Sequence, residues 1–214
     1  MTKEVNFGDL LQLTPVSDCW GFDRGQPIDR FYIETFMSRH AARIAGVVLE
    51  IGGPLYATKF GRHQVDTVEI LDVGGGADAT YDDDLSIGTG LPGDRFDCAI
   101  VTQTLQYVYD VSAAIATLHR IVKPSGTVLA TVPGITRISE REYPDAWFWA
   151  FTQASASRLF GDVFGPEDVE VTTYGNVLAA SSFLYGLAAE ELAPEQLAHE
   201  DPDFPVTVAI RAVK

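Results

Sequence analysis

The chain has 214 residues, 46% of them apolar and 21% charged, enough to bury one sizeable core and too balanced for wholesale disorder. Thirty acids against 15 Lys and Arg give a formal charge of −15 with no basic stripe, so phosphate backbones are repelled and nucleic acid is excluded as a substrate. Cys19 and Cys98 stand far apart without metal-ligand spacing, and the N-terminus lacks a secretory apolar stretch; the reading is one cytoplasmic domain over 1–214 with no membrane span, metal or disulfide framework.

Residues 1–27 have no clean period and carry Pro15, Gly21, Gly25 and Pro27, which reads as an arm with a short helix. From Ile28 the side chains of Phe31, Tyr32, Thr35, Phe36 and Met37 recur at helical spacing, and Pro27 suits the first turn. This arm and helix, 1–45, are expected to cover a site on an α/β core spanning 46–214. The first strand, over 47–51, is apolar until Glu50 and opens onto Gly52-Gly53, where backbone can approach a ligand. A glycine-bearing loop leads to a second strand over 65–71, and Gly74-Gly75-Gly76 to a short third over 79–82. A fourth strand over 96–102 precedes a helix over 112–121, which Lys123-Pro124-Ser125-Gly126 stops before a fifth strand over 127–132. Beyond a polar stretch to Asp145 lie an aromatic knot over 147–151 and a helix over 154–160. Strands over 169–174 and 206–212 close the pattern, with a helix over 179–187 between them. Seven strands alternating with helices predict a mostly parallel α/β sheet, which binds ligands outside its carboxyl strand ends.

Three stretches, in order, resemble the motifs of the class I S-adenosylmethionine-dependent methyltransferases, in particular the type-11-like branch. Val48-Leu49-Glu50-Ile51-Gly52-Gly53 is similar to the family's first motif, Asp97 to Asp110 to its fourth-strand motif, and Leu118 to Gly126 to the helix end before its fifth strand. The resemblance covers residues 45–135. The flanks, Trp20 to Glu34, Trp149-Ala150-Phe151-Thr152 and Tyr174-Gly175-Asn176-Val177, resemble a narrower group often encoded beside glycosyltransferases, with relatives linked to sugar O-methylation in polymethylated polysaccharide assembly. Three departures stand out. Gly53 is followed by Pro54 where a third glycine is usual, Ser125-Gly126 replaces two glycines, and Tyr107 stands where many relatives have histidine.

The resemblance implies a Rossmann-like, seven-stranded fold flanked by helices, and S-adenosylmethionine as cofactor. It places the donor on Glu50, Gly52, Gly53, Tyr56, Asp84, Leu85 and Gln103, with either Glu69 or Asp72 holding the ribose. Asp84-Leu85 is expected to meet the adenine, and the ring of Tyr107 to face the sulfonium. If the acceptor is a hydroxyl, a base is needed; Asp29 is one candidate and His63 the histidine worth testing. Trp20, Arg24, Arg30, Tyr32 and Trp149 are expected to face the acceptor. That acceptor is read as a small molecule, preferably a sugar or oligosaccharide; a lipid or quinone-like acceptor, or a binding domain without catalysis, is the alternative. A homodimer is compatible with the sequence.

Overall fold

The computed structural model describes residues 8–139 and 145–214, so the first seven residues of the arm and part of the polar stretch before Asp145 lie outside the described residues. The apolar runs become strands: β1 Gly46–Ile51, β2 Val65–Leu71, β3 Phe96–Thr102, β4 Val122–Pro133, β5 Val169–Tyr174 and β6 Thr207–Val213. They lie in the order β2-β1-β3-β4-β6-β5, with β6 antiparallel to both of its neighbours and the other pairs parallel. The helices are α1 Ile28–Arg39, α2 Val111–Ile121, α3 Gln153–Phe164, α4 Val177–Leu184 and α5 Pro194–Ala198.

Two cores sandwich the sheet. In β3 the pleat divides Cys98 and Ile100 from Ala99 and Val101, and all four are buried, as a strand covered on both faces requires. Cys98 and Ile100 join Ile33, Phe36 and Phe183 of α1 and α4. Ala99 and Val101 join Ile115, Leu118 and Phe160 of α2 and α3. Each fully buried Leu or Ile stabilises by about 1.5–3 kcal/mol. The helix starts are fixed by side-chain caps: Asp110 accepts the Ala113 N–H at 3.0 Å, Asn176 accepts those of Leu178 and Ala179, and Thr152 with Ser155 forms a capping box.

The sheet has six strands rather than seven. The segment expected as a strand over 79–82 is reduced to one parallel bridge between Leu71 and Tyr81. Its acids take loop backbone instead: Asp82 accepts the Gly74 N–H, Asp83 those of Asp84 and Gly90, and Asp84 that of Ser86. Asp side chains that bond nearby backbone favour turns over extended pairing. The Lys123–Gly126 turn is absorbed into β4, with Ser125 held in a left-handed conformation at φ +67°. Two backbone bonds to Lys214 hold it there. The expected helix over 179–187 starts and ends earlier, at Val177 and Leu184, and the short α5 was not foreseen.

The arm is clamped to the segment after α4. Val16 and Ser17 donate to the Tyr185 carbonyl, Ala189 donates to Gln26, Pro27 bridges Ala188, and Arg24 pairs with Glu191. Gly21 is required here, because a Cβ would come within 2.9 Å of the Leu187 carbonyl.

Candidate active site

The carboxyl ends of β1, β2 and β3 converge on one trough. At the end of β1 the carboxylate of Glu50 folds back and accepts the N–H groups of Tyr56 and Ala57, both at 2.8 Å. This fixes the turn that carries the two glycines. Gly52 sits at φ +78° with its N–H on the Leu71 carbonyl at 3.0 Å, a conformation that suits glycine. A Cβ at either Gly52 or Gly53 would meet nothing within 4 Å, so bare main chain faces open space.

Burial pushes Glu50 up to about 7, against the opposing pull of the Tyr56, Ala57 and Leu55 N–H groups. The folded value lies above the unfolded one, so the contribution to stability is full below about pH 4.5 and lost as pH rises through about 7. The ligand-free protein is therefore expected to lose about 3 kcal/mol of stability from this group between those limits. Chemical denaturation across pH 5 to 8 reads the slope; Glu50→Gln should flatten it, and an unchanged slope would refute the assignment.

At the end of β2 the two acids left open for the ribose stand in different surroundings. Glu69 is 6% exposed, and its carboxylate is taken by Arg95 and by the Tyr81 hydroxyl at 2.6 Å. The bond from Arg95 is the main cause holding its pKa below the usual carboxylate range. Asp72 lines the trough instead, and its carboxylate makes no hydrogen bond among the described residues. Glu69→Gln should cost about 1–3 kcal/mol in unfolding experiments and leave donor binding intact. Asp72→Asn should do the reverse, weakening calorimetric binding of S-adenosylhomocysteine about 10-fold or more at unchanged stability.

At the end of β3, Gln103 adopts φ +47°, a strained value for a residue with a side chain, and its N–H holds the Thr131 carbonyl at 2.8 Å. The strained turn delivers Gln103 and Tyr107 to the wall between two cavities. One, of 470 Å³, runs from Ile51 and Gly52 past Asp72 to Asp84 and the buried Leu85. The other, of 340 Å³, is walled by Trp20, Phe22, Tyr107, Trp147 and Phe183, with Asp29, Arg30, Gln106 and Thr136 supplying polar atoms. A third cavity, of 500 Å³, lies over Glu50, Gly52, Gly53 and Tyr56 and shares Arg30 with the second. The indole of Trp147 meets the Tyr107 ring edge-on at 5.1 Å. The Arg137 guanidinium lies 4.2 Å from the ring of Trp20, itself held at φ +53°.

Asp29 faces the 340 Å³ cavity, and its carboxylate accepts the Arg30 backbone N–H at 2.8 Å. Burial raises its pKa, with the Arg30 charge opposing.

Four expected site residues lie elsewhere. His63 belongs to a turn at the amino end of β2, the far end of the strand from the trough. Tyr32 is 1% exposed, with its hydroxyl donating to the Leu197 carbonyl, because the helical period turns it into the core. Arg24 is spent on Glu191 in the arm clamp. Trp149 donates its indole N–H to the Val108 carbonyl at 3.0 Å and lines a separate groove with Tyr109 and Phe151; Trp147 occupies the position expected of it. Gln106, Thr136 and Phe183 were not foreseen. Thr136 and Phe183 arrive from distant segments that carry no local signal. Among the described residues no group of three or more His, Cys, Asp or Glu is placed to hold a metal ion, and no helix is long and apolar enough to cross a membrane.

The trough fits S-adenosylmethionine by its own chemistry: bare backbone at Gly52 and Gly53, a free carboxylate at Asp72, and an acid followed by a buried apolar residue at Asp84-Leu85. Comparison with known proteins agrees. Residues 71–130, which include Asp72, Asp84, Gln103 and Tyr107, match the family model of a type-11 methyltransferase domain. The fold is shared with an S-adenosylmethionine-dependent methyltransferase from Archaeoglobus fulgidus, at 12% identity over 86% of this chain and 94% of that one, with a TM-score of 0.57. It is shared with another from Mesorhizobium loti, at 14% identity over 87% and 98%, with a TM-score of 0.56. A phosphoethanolamine N-methyltransferase of Haemonchus contortus, solved with S-adenosylhomocysteine, matches at 14% identity over 87% of this chain and 57% of its own, with a TM-score of 0.52. No curated protein matches the chain. The fold is that of the class I methyltransferases, and the family match falls on the part of the chain that carries the strand-end residues of the trough. Residues 71–130 are similar to a type-11 methyltransferase domain, and the donor that such a domain uses fits the trough.

Proposed function

We propose that the enzyme methylates a hydroxyl of a small acceptor, a sugar or the end of an oligosaccharide. The observation that carries this reading is the make-up of the 340 Å³ cavity: Trp20 and Trp147 share its lining with the hydrogen-bonding residues Asp29, Gln103, Gln106 and Thr136. Sugars offer apolar C–H faces and a ring of hydroxyls, and they need both kinds of wall. When bound, the donor supplies an electrophilic methyl carbon on a sulfonium. The remaining work falls to the chain: Gln103 and Tyr107 separate the cavities, Asp29 accepts the acceptor's hydroxyl proton, and the arm carrying Trp20 and Phe22 keeps water out. Ser17 and Arg137 steady that arm through Asp23 and Asp18.

Transfer of labelled methyl groups to a panel of mono- and oligosaccharides, alongside quinones and lipids, tests the proposal. Label in the glycan fraction supports it; label confined to quinone or lipid products overturns it. The lipid reading has one observation in its favour, the exposed groove bounded by Tyr109, Trp149, Phe151 and Leu159. The aromatic rings of Tyr109 and Phe148 meet there at 5.3 Å. The Val108 carbonyl holds Trp149 in that groove through the indole N–H, and the groove shares no lining residue with the Asp29 cavity.

A further inference from the structure

The three cavities of the trough contain one cationic side chain among the described residues, Arg30, and it lines two of them. Its guanidinium is half-buried on α1 and donates from Nη1 to the Tyr56 hydroxyl at 3.1 Å; it makes no ion pair among the described residues. A guanidinium carries five N–H donors in a planar fork, and a half-buried one with a single neutral partner is under-satisfied. In a chain of formal charge −15, an unpaired half-buried cation in an otherwise acid-lined trough marks the place of an anion. Asp29 beside it contributes charge across the cavity without an ion-pair contact, and the two acids of the neighbouring cavity are otherwise occupied. Glu34 pairs with Lys59, and Glu50 is turned onto backbone N–H groups.

We propose that Arg30 binds the carboxylate of the methyl donor's amino acid part, and that the acceptor is consequently uncharged. This rests on the donor reading above. The donor has a single anionic group, and among the described residues the 500 Å³ cavity has a single cation, in the same lining as Gly52 and Gly53. Tyr56, which accepts from Arg30, is itself positioned by its backbone N–H on Glu50, so the same turn that bares the glycines also aims the guanidinium. Once Arg30 is engaged, the acceptor cavity presents Asp29 and, among the described residues, no further cation, which disfavours phosphorylated or carboxylated acceptors.

Calorimetry with two ligands tests the assignment: S-adenosylhomocysteine, which carries the carboxylate, and methylthioadenosine, which lacks the whole amino acid part. Arg30→Gln is expected to weaken S-adenosylhomocysteine about 10- to 100-fold and to leave methylthioadenosine within about 3-fold of the wild type. Arg30→Lys should fall between, since it keeps the charge and loses the fork. Methylthioadenosine binding doubles as the check that the variant is folded. Equal losses for both ligands, or an unchanged S-adenosylhomocysteine affinity, would overturn the role of Arg30. Failure of the wild type to bind either ligand would instead bring down the donor reading, and this proposal with it.

Discussion

Replacing Gly53 with valine should abolish the donor site while leaving the fold intact. Gly53 is not among the glycines held at positive φ, and a Cβ there would meet nothing within 4 Å, so the ligand-free protein has room for the new side chain. Stability should stay within about 0.5 kcal/mol of the wild type, or rise slightly because the unfolded chain loses freedom. The donor, by contrast, needs the same space. Filling it forces an overpacking cost of about 1–3 kcal/mol, equivalent to a loss of about 10- to 100-fold in affinity for S-adenosylhomocysteine. Paired thermal unfolding and calorimetry read both quantities on one sample. Wild-type affinity in Gly53→Val would mean that nothing lies against that corner, and the whole arrangement of the trough would have to be redrawn. Gly52 is the less clean position for this test, since at φ +78° any side chain is strained before a ligand arrives.

Asp29→Asn should reduce turnover about 100- to 10,000-fold with donor affinity unchanged, the range that loss of a general base produces. Asparagine keeps the shape and the acceptor oxygen that takes the Arg30 backbone N–H at 2.8 Å, so the turn at the start of α1 survives. Only the capacity to accept a proton is lost. Burial, the largest influence on this carboxyl, raises its pKa, so the wild-type rate should climb with pH through a limb placed above the usual carboxylate range. That limb should vanish in the variant. A wild-type turnover in Asp29→Asn would transfer the role to another group in the cavity or remove the need for a base.

Much of the frame was legible in the chain. The strands over 65–71, 96–102 and 169–174 were read to the residue, because β-branched and apolar residues, alternating with polar ones at the sheet edges and nearly continuous in the centre, are bounded there by turn signals. The glycine pair after Ile51 announced itself for the same reason. The third strand failed because Asp82, Asp83 and Asp84 bond loop backbone, a competition invisible to a reading of alternation alone.

Site residues divided along a different line. Positions tied to strand ends, such as Gly52, Asp84 and Gln103, fell where the order of elements put them. Positions on the arm and in the aromatic knot divided: Trp20, Asp29 and Arg30 line the second cavity, whereas Arg24 and Trp149 do not. Arg24 and Arg30 lie six residues apart in one charged segment, yet Glu191, 167 residues beyond Arg24, takes one and leaves the other facing the trough. Trp147 and Trp149 differ by one turn of an irregular segment, and the Val108 carbonyl chose between them. Arg95, remote in sequence, claims the carboxylate of Glu69, while Asp72 lines the trough.

By itself the sequence determined the hydrophobic periods, and through them most of the strands and the bare turn after β1, while the order of the strands in the sheet emerged only with the fold. Partner choice among charged and aromatic side chains was decided only in three dimensions. Burial of an apolar run depends on its own composition, whereas satisfaction of a carboxylate, a guanidinium or an indole N–H depends on whichever distant group the fold happens to bring within about 3 Å.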